Sequence, residues 1–272
     1  MSFSSFLRGK VALITGGGGT LGEAIASKLV GQGASVILVG RTVERLEKAR
    51  TNVLQSFEHN NNNNDSNNSG TMEIRGDQVG IFSCDVTKEE AVVDMFNSLD
   101  RTYKENGGVD LLINNAGVAI NGETEKMSGD AFSWVMNVNV VGPFLCSREA
   151  LKRMKSPSKG GGRIINIGSI SAISPRPDSA PYTTSKFAVM GLTQSLALDA
   201  RPYNVAVGMI HPGNVMSAIM SPEEAARREK EEGFLRPEDV ANSVLAMASM
   251  PYHANVLEMT VIPTRQPLVG RG

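Results

Sequence analysis

The sequence predicts an α/β fold with a doubly wound parallel sheet of about seven strands and helices on both faces. Short apolar runs rich in β-branched residues alternate with segments of helical periodicity. Four consecutive glycines join the first run to the first helical segment, and the alternation continues without a compositional break from residue 10 to residue 263. Such alternation is typical of βαβ units, whose strands are parallel and buried on both faces. The whole chain, 1–272, is therefore predicted to form one domain.

Seven runs are predicted as strands, and four longer segments are predicted as helices. The strands are 11–15, 35–39, 81–84, 111–113, 163–167, 205–210 and 257–262. The helices are 21–30, 43–57, 131–154 and 180–200. Thr42 precedes the second of these helices, and Thr87 precedes a further helical segment. Each threonine is predicted to be an N-cap, because its hydroxyl oxygen can accept a bond from a backbone N–H group.

Two segments depart from the alternation of strands and helices. Residues 59–70 are mostly asparagine and cannot contribute to a core, so this segment is predicted to be a disordered surface insertion. Residues 216–235 are charged, have helical propensity and follow a strand end. Lids over substrate sites are often found in such a position, and the segment is predicted to be one.

The composition argues against several classes of function. The net charge is −1, and no basic run with interleaved aromatic residues occurs, so neither nucleic acid nor an anionic membrane is expected as a partner. No apolar stretch is long enough to span a membrane, and the N-terminus lacks a secretory signal. The two cysteines, Cys84 and Cys146, form neither a disulfide framework nor a zinc motif. We expect a cytoplasmic protein without a bound metal.

The strongest local signal is the glycine-rich loop from Thr15 to Gly22, between the first strand and the first helix. Glycines in this position let the backbone approach a pyrophosphate, while the start of the helix offers free N–H groups and the positive end of its dipole. The alternative is a strand–helix turn that binds nothing. The position of the loop favours nucleotide binding.

Arg41 stands at the end of the second strand, where nucleotide preference is usually determined. An acidic residue there would bind a free ribose 2′-hydroxyl group and repel a 2′-phosphate. Arginine can instead pair with a 2′-phosphate through two hydrogen bonds. NADP(H) is therefore preferred as the predicted cofactor, with NAD(H) as the open alternative. Arg41 could also be a solvated residue near a helix start.

Tyr182 and Lys186 are four residues apart in a predicted helix, so their side chains lie on one face. A nearby ammonium group favours the phenolate, which makes Tyr182 a usable general acid or base. A Tyr-x-x-x-Lys pair alone often marks only a helix surface. Here Ser169 ends a predicted strand thirteen residues earlier and could donate a hydrogen bond to a carbonyl oxygen, although a lone serine there would be interpreted as a cap. Asn139 falls within a predicted helix, where asparagine is usually exposed or locally bonded.

Together these residues resemble the single-domain branch of the short-chain dehydrogenase/reductase superfamily, which has a Rossmann fold. The resemblance covers almost the whole chain. It depends on motifs in the expected order: the glycine loop, Asp85, Asn114–Asn115–Ala116–Gly117, Asn139, Ser169, Tyr182, Lys186 and Pro212–Gly213. The C-terminal stretch looks like the branch that contains NADP-dependent 3-hydroxy acid dehydrogenases and serine dehydrogenases. A homodimer or homotetramer is expected by analogy with the family.

The resemblance implies roles for individual residues. Tyr182 would exchange the proton with the substrate oxygen, Lys186 would assist it and hold the nicotinamide ribose, and Ser169 would orient the carbonyl. Asn139 would hold a water molecule that links Lys186 to solvent. The implied cofactor-binding residues are Thr15, Gly16, Gly18, Thr20, Leu21, Gly22, Arg41, Asp85, Val86, Asn115, Ala116, Gly117, Tyr182, Lys186, Pro212, Gly213, Val215 and Ser217.

The sequence departs from the family pattern in the glycine loop. The middle glycine of Thr-Gly-x-x-x-Gly-x-Gly falls on Thr20, whose side chain could narrow the pyrophosphate approach or bond a phosphate. NADP-preferring members often carry a basic residue inside the loop. None is present here, so Arg41 is expected to act alone.

The predicted function is an NADP-dependent carbonyl reductase or alcohol dehydrogenase that transfers hydride between nicotinamide and a small-molecule carbonyl or alcohol. Three alternatives stay open. The first is a non-catalytic NADP(H)-binding regulator, although such a protein has no need of Ser169, Tyr182, Lys186 and Asn139 together. The second is a 3-oxoacyl-thioester reductase. The third is a nucleotide-sugar epimerase or dehydratase, which usually has a longer C-terminal substrate domain.

Overall fold

The computed structural model describes residues 6–62, 78–103, 108–156, 159–216 and 222–268, without the side chains of 57–62, 222, 224, 225 and 228. Most of the predicted insertion, 63–70, and Ser217 lie outside the described residues, as do residues 217–221 of the predicted lid. The strands are β1 Val11–Thr15, β2 Ser35–Gly40, β3 Val79–Ser83, β4 Leu111–Asn114, β5 Gly162–Ile167, β6 Val205–Pro212 and β7 Glu258–Val261. The helices are α1 Thr20–Val30, α2 Val43–Asn62, α3 Glu89–Thr102, α4 Gly129–Met136, α5 Gly142–Met154, α6 Ala180–Ala200, α7 Pro222–Glu231 and α8 Pro237–Ala248.

All seven strands form one parallel sheet in the order β3-β2-β1-β4-β5-β6-β7. The predicted doubly wound parallel fold is therefore confirmed. The chain moves outward from β1 to β3 and then returns to place β4 on the other side of β1. The loops that leave β1 and β4 consequently diverge, and a crevice forms at the carboxyl ends of these strands, where ligands bind in open α/β sheets.

Two apolar cores lie on opposite faces of the sheet, because alternate residues of each strand point to opposite faces. Ala12 and Ile14 of β1 pack in one cluster with residues of α1, α2 and α8. Val11 and Leu13 pack in the other cluster with residues of α3, α5 and α6. Burial on both faces explains why the strands appear in the sequence as continuous apolar runs.

The predicted helix 131–154 is wrong as a single element. Helix α4 ends at Met136, a π-helical turn covers Asn137–Val141, and α5 begins at Gly142. Pro143 explains the break, because proline has no N–H group with which to bond the carbonyl oxygen of Asn139 in a regular α-helix. Such π-helical turns are frequent at functional sites.

Three smaller predictions also need correction. Thr87 is not an N-cap, since α3 begins at Glu89 with Lys88 in the cap position. Helix α2 runs to Asn62 and so includes the first residues of the segment predicted as an insertion. Strand β3 begins at Val79, two residues before its predicted start. These differences concern element ends, where local sequence signals are weakest.

Both cysteine thiols are buried in the core. Burial, with a smaller contribution from Asp85, raises the pKa of Cys84 to about 11, and burial also raises the pKa of Cys146. Both groups therefore stay protonated at neutral pH and are poor nucleophiles. In the described part of the chain, no helix is long and apolar enough to cross a membrane, and no three or more His, Cys, Asp or Glu side chains group as metal ligands.

Candidate active site

The glycine loop is packed so tightly that side chains would not fit at several positions. Gly16 has a φ of +66°, which favours glycine, and the amide of Gly17 donates to the carbonyl oxygen of Val39 in β2. A Cβ atom at Gly17 would lie 2.7 Å from the Cβ of Leu38. The loop is therefore held against the end of β2, and α1 starts close to the sheet.

Replacing Gly22 with alanine tests this close packing. The new Cβ would lie 2.5 Å from the carbonyl oxygen of Gly16 and 2.9 Å from the Cα of Gly17, both backbone atoms. We expect a loss of about 1–3 kcal/mol in the free energy of unfolding, measured by urea denaturation. Gly191→Ala in α6 is the matched control, since no described atom beyond its chain neighbours and its own helix backbone lies within 4 Å of the added Cβ. That control should gain about 0.5–1 kcal/mol, and equal effects of the two variants would contradict the packing described.

Thr15 and Asn115 join the ends of β1 and β4. The Thr15 Oγ1 accepts bonds of 3.0 Å from the backbone amides of Asn115 and Ala116. The Asn115 Nδ2 donates to the carbonyl oxygens of Thr15 at 3.0 Å and Gly16 at 3.2 Å. The polar side chain of Asn115 thus braces the glycine loop, while Gly117 is exposed in the loop that follows β4.

The start of α1 has the chemistry that a dinucleotide phosphate requires. Gly19 is the N-cap residue and no side chain caps the helix, so its first N–H groups have no side-chain acceptor. Gly19 and Thr20 are exposed there, and Leu21 is partly exposed. An uncapped helix start with small exposed residues fits an anionic group, which would be stabilised by the N–H groups and by the helix dipole.

The ends of β2 and β3 contain the residues predicted to contact adenosine. Arg41 directly follows β2, is exposed, and lies with its guanidinium carbon 5.5 Å from the centroid of the Trp134 ring. Asp85 accepts two bonds through Oδ1, from the amide and the hydroxyl of Thr87, at 3.0 and 2.8 Å. Val86 is almost fully buried against Gly142, at the start of α5. Asp85 thus organises the turn after β3, which is why Thr87 does not cap α3.

Lys186 is buried beside the ring of Tyr182. Its Nζ donates to the carbonyl oxygen of Ile167, the last residue of β5, at 2.9 Å and lies 5.4 Å from the centroid of the Tyr182 ring. Lys186 is 7% exposed, whereas Tyr182 is half-buried. The Ile167 carbonyl therefore connects Lys186, which lies beside the Tyr182 ring, to the strand that leads to Ser169.

Ser169 directly follows Gly168 beyond the end of β5 and starts a short 3₁₀ turn. Its Oγ accepts from the amide of Ser171 at 3.1 Å and donates to the Ser171 hydroxyl at 3.2 Å. Its carbonyl oxygen is 3.0 Å from Nδ1 of the fully buried His211 in β6. No motif or spacing in the sequence indicates a role for His211. Helix α6 packs against the 3₁₀ turn, so the structure brings Ser169, Tyr182 and Lys186 to one edge of the sheet.

Asn139 is neither exposed nor locally bonded, contrary to the usual pattern for asparagine within a helix. It is 2% exposed, and its Nδ2 donates to the carbonyl oxygen of Val118 and to the Ser185 hydroxyl, both at 2.9 Å. Its Oδ1 accepts from the amide of Val118 at 2.8 Å. Both Nδ2 hydrogens are therefore used within the protein. The side chain therefore braces the loop after β4 against α6, and the water-holding role implied for Asn139 stays a prediction.

A second buried polar chain, not found from the sequence, connects the strands beneath the site to the helices beside them. The Asn114 Nδ2 donates to the Ser147 hydroxyl at 2.9 Å and to Asn166 Oδ1 at 2.8 Å. The Asn166 Nδ2 in turn donates to the Thr193 hydroxyl at 2.8 Å. These bonds join β4, β5, α5 and α6. Asn114 Oδ1 has no hydrogen-bond partner among the described residues, but the bonds that are formed hold α6 in place relative to the strand ends.

The Pro212–Gly213 turn is held by the C-terminal segment. The amide of Gly213 donates to the carbonyl oxygen of Val261, and a Cβ at Gly213 would clash with Gln266 Oε1. The Gln266 Oε1 accepts from the amide of Asn214 at 2.9 Å. Val215 forms an isolated parallel bridge with Leu235, which closes the base of the segment predicted as a lid.

Glu232, near the end of the predicted lid, is hydrogen-bonded to a residue that follows β6, to the C-terminal segment and to the loop before α6. Its Oε2 accepts from Asn214 Nδ2 at 2.7 Å, Gln266 Nε2 at 3.1 Å and Arg176 Nη2 at 3.3 Å. Arg176 lies between Ser169 and Tyr182 in the chain and also donates to Asn214 Oδ1 at 2.8 Å. These residues come from separate segments without a shared motif, so their association could not be predicted from the sequence.

Comparisons with known proteins agree with this arrangement. A family model described as short chain dehydrogenase matches residues 10–228. An uncharacterized oxidoreductase of Staphylococcus aureus (strain USA300) is 33% identical over 257 residues, 94% of this chain and 98% of that protein. The structure of an NAD⁺-bound xylitol dehydrogenase superposes with a TM-score of 0.78 at 26% identity and covers 94% of this chain and 99% of its own. An alcohol dehydrogenase from the archaeon Thermococcus sibiricus complexed with 5-hydroxy-NADP gives 0.76 at 26% identity, covering 95% and 98%.

The family model extends from the residue before β1 into α7, and so includes the glycine loop, Ser169, Tyr182 and Lys186. The oxidoreductase relative and the two enzyme structures align over nearly the full length of this chain. The predicted family is therefore confirmed: the chain belongs to the short-chain dehydrogenase/reductase family of oxidoreductases.

Proposed function

We propose that the protein is an NADP(H)-dependent oxidoreductase that interconverts a small-molecule carbonyl and the corresponding alcohol. One observation supports this proposal most directly. The Lys186 ammonium group lies 5.4 Å from the Tyr182 ring centroid and is bonded to Ile167 in the strand that leads to Ser169. A proton donor, a cation and a hydroxyl group at one edge of the sheet are what carbonyl reduction needs.

Bound NADP(H) would supply or accept the hydride. The residues proposed to hold it are the glycine loop and the uncapped start of α1 at the phosphates, Arg41, Asp85 and Val86 at the adenosine, and Ala116 and Gly117 in the middle. Pro212, Gly213, Val215 and Ser217 would border the nicotinamide. Asn115 supports this site indirectly, because its side chain is bonded to the loop.

Tyr182 would donate its hydroxyl proton to the substrate oxygen as hydride reaches the carbon, and would accept the proton in the reverse direction. The ammonium group of Lys186 would stabilise the resulting phenolate, because an opposite charge nearby favours the ionised form. Ser169 would donate a hydrogen bond to the same oxygen once its hydroxyl turns away from Ser171. Asn139 would act as a brace between the loop after β4 and α6.

Arg41→Ala tests the preference for NADP(H). Removing a charge-assisted pair costs about 1.5–3 kcal/mol, so the dissociation constant for NADPH should rise by about 10- to 100-fold. The constant for NADH should change by less than about twofold. Calorimetric titration measures both constants, and Arg201→Ala at the far end of α6 is a matched exposed control. An equal loss of both affinities in the Arg41 variant would contradict the 2′-phosphate role and favour NAD(H).

The activity is tested by following NADPH oxidation with ketones, aldehydes and 3-oxoacyl thioesters, and NADP⁺ reduction with hydroxy acids. Turnover of any of these classes supports the proposal and identifies the substrate class. NADPH binding without turnover across the panel would contradict it and favour the regulatory alternative. The C-terminal likeness to 3-hydroxy acid and serine dehydrogenases stays a prediction, and the hydroxy-acid arm tests it.

The edges of the site indicate an apolar portion in the substrate. Ile173 follows the 3₁₀ turn after Ser169 and is 49% exposed, and Met216 at the base of the predicted lid is 54% exposed. We propose that these side chains contact the substrate and that α7 covers it, with Glu232 anchoring the lid. We also propose a homodimer or homotetramer, as is typical of the family, with exposed Phe144 and Phe187 at the interface.

A further inference from the structure

Trp134 has an unusual position for a tryptophan, and it is the only one in the chain. It lies on α4 and is 36% exposed, although tryptophan is highly buried on average. Its ring is 5.5 Å from the guanidinium carbon of Arg41. This contact links the helix that follows β4 to the end of β2, two strands away in the sheet.

Arg41 has no carboxylate partner among the described residues. Its backbone carbonyl accepts a bond from Ser83, but the contact recorded for its guanidinium group is the Trp134 ring. A guanidinium group held over an aromatic face loses conformational freedom while its N–H edge stays open to an anion. The indole therefore holds the Arg41 guanidinium group in place, and no acidic side chain among the described residues neutralises its positive charge.

A second arginine approaches the glycine loop from α2. A Cβ atom at Gly18 would lie 3.1 Å from the Cβ of Arg45, so the Arg45 side chain starts directly beside the loop. Arg45 also forms no ion pair among the residues described. Arg45 is therefore a candidate second cation beside Arg41, which was expected to act alone. Two arginines that form no ion pair in the described part of the chain, four residues apart, lie at the end of β2 and beside the glycine loop.

We propose that Trp134 is a positioning residue that determines nucleotide specificity by holding Arg41 ready for a 2′-phosphate, with Arg45 as the second cation of the site. This inference rests on the proposed function, since it explains how NADP(H) would be selected. Trp134 acts through Arg41 and does not contact the reacting atoms. Its contribution should consequently appear only with nucleotides that carry a 2′-phosphate.

The test uses two nucleotide fragments that differ in this phosphate: adenosine 2′,5′-bisphosphate and adenosine 5′-monophosphate. In the unmodified protein, the bisphosphate should bind more tightly and change the fluorescence of Trp134 more at saturation, because its 2′-phosphate binds the N–H edge of the guanidinium group that lies over the ring. In Trp134→Leu, calorimetry should show bisphosphate binding weakened by about two- to fivefold, the magnitude of an exposed cation–π contact. Monophosphate binding should be unchanged.

Phe132→Leu is the matched control, because Phe132 lies on the same helix, is also 36% exposed and has no cation–π contact with either arginine in the described structure. It should leave both affinities unchanged. Equal weakening of the two fragments by Trp134→Leu would overturn the inference in favour of an adenine contact. Unchanged affinities, with a loss of oligomer in sedimentation, would overturn it in favour of a subunit interface.

The same measurements separate this inference from the proposed cofactor preference. If the unmodified protein does not prefer the bisphosphate, the NADP(H) proposal fails and the Trp134 proposal fails with it. If the preference exists and Arg41→Ala removes it, whereas Trp134→Leu does not reduce it, only the role of Trp134 is refuted. A reduced preference in Trp134→Leu, restored in part by Trp134→Phe, supports the inference, since phenylalanine keeps an aromatic face.

Discussion

Tyr182→Phe is expected to lower kcat for carbonyl reduction by about 10²- to 10⁴-fold, the range that a positioned general acid contributes. The substitution removes one oxygen atom and keeps the ring beside Lys186. No described residue hydrogen-bonds the Tyr182 hydroxyl, so its removal leaves no partner unsatisfied. Cofactor affinity should therefore change by less than about threefold, and the thermal unfolding midpoint should not fall.

Tyr203→Phe is the matched control for this experiment. Tyr203 lies in the 3₁₀ turn after α6, is 45% exposed, and carries Lys155 over its ring at 4.5 Å. It therefore loses the same atom beside the same type of cation, but away from the site. Single-turnover rates with saturating NADPH should be unchanged in the control. A Tyr182 variant that keeps more than about a tenth of kcat would show that another group donates the proton.

The sheet could be predicted because its strands are buried on both faces. Burial requires continuous apolar runs such as 11–15 and 163–167, and the helices between them require parallel pairing. Ser169, Tyr182 and Lys186 could be selected because a strand end and one helix face bring them to the same edge of the sheet. Local sequence is enough for this selection, because Ser169 follows a strand end and Tyr182 and Lys186 are four residues apart on one helix.

The break between α4 and α5 was missed although Pro143 marks it. The π-helical turn widens the helix only over Asn137–Val141, and the same face stays buried on both sides of it. The helical spacing of apolar residues therefore continues across 131–154. The proline lacks the N–H group that would bond Asn139 in an α-helix, and this signal was sufficient to predict the interruption. Similarly, the spacing of four between Arg41 and Arg45 could have shown that a second cation begins the helix after β2.

Other parts of the site depend on long-range packing that no local pattern encodes. Glu232 meets Asn214 and Gln266 only after β6, α7 and the C-terminal segment have assembled. The contact of Trp134 with Arg41 likewise joins elements from separate βαβ units. Each of these residues could equally be a solvated surface residue in its local context. Their roles become visible only from distances between segments.

Asp110→Ala is expected to lower the free energy of unfolding by about 3–5 kcal/mol, because it leaves a buried charge without its partner. Asp110 precedes β4 at the edge of the sheet opposite the active site. Its Oδ1 is 3.0 Å from Lys159 Nζ and 3.3 Å from Lys10 Nζ, and its Oδ2 accepts from the amide of Val11 at 2.9 Å. The side chains of Asp110 and Lys159 are each only 5% exposed, so solvent does little to screen their attraction.

Urea denaturation followed by circular dichroism measures this loss, and three further variants identify its cause. Glu47→Ala, which breaks the exposed pair with Arg50, should cost less than about 1 kcal/mol. Asp110→Asn should cost less than Asp110→Ala, since the amide oxygen can still accept from Val11. Adding Lys159→Met to Asp110→Ala should restore part of the stability, because it removes the ammonium charge that Asp110 no longer neutralises and retains much of the buried volume. Additive losses in the double variant would instead show that the two residues stabilise the fold independently, and that the short distance between them contributes little.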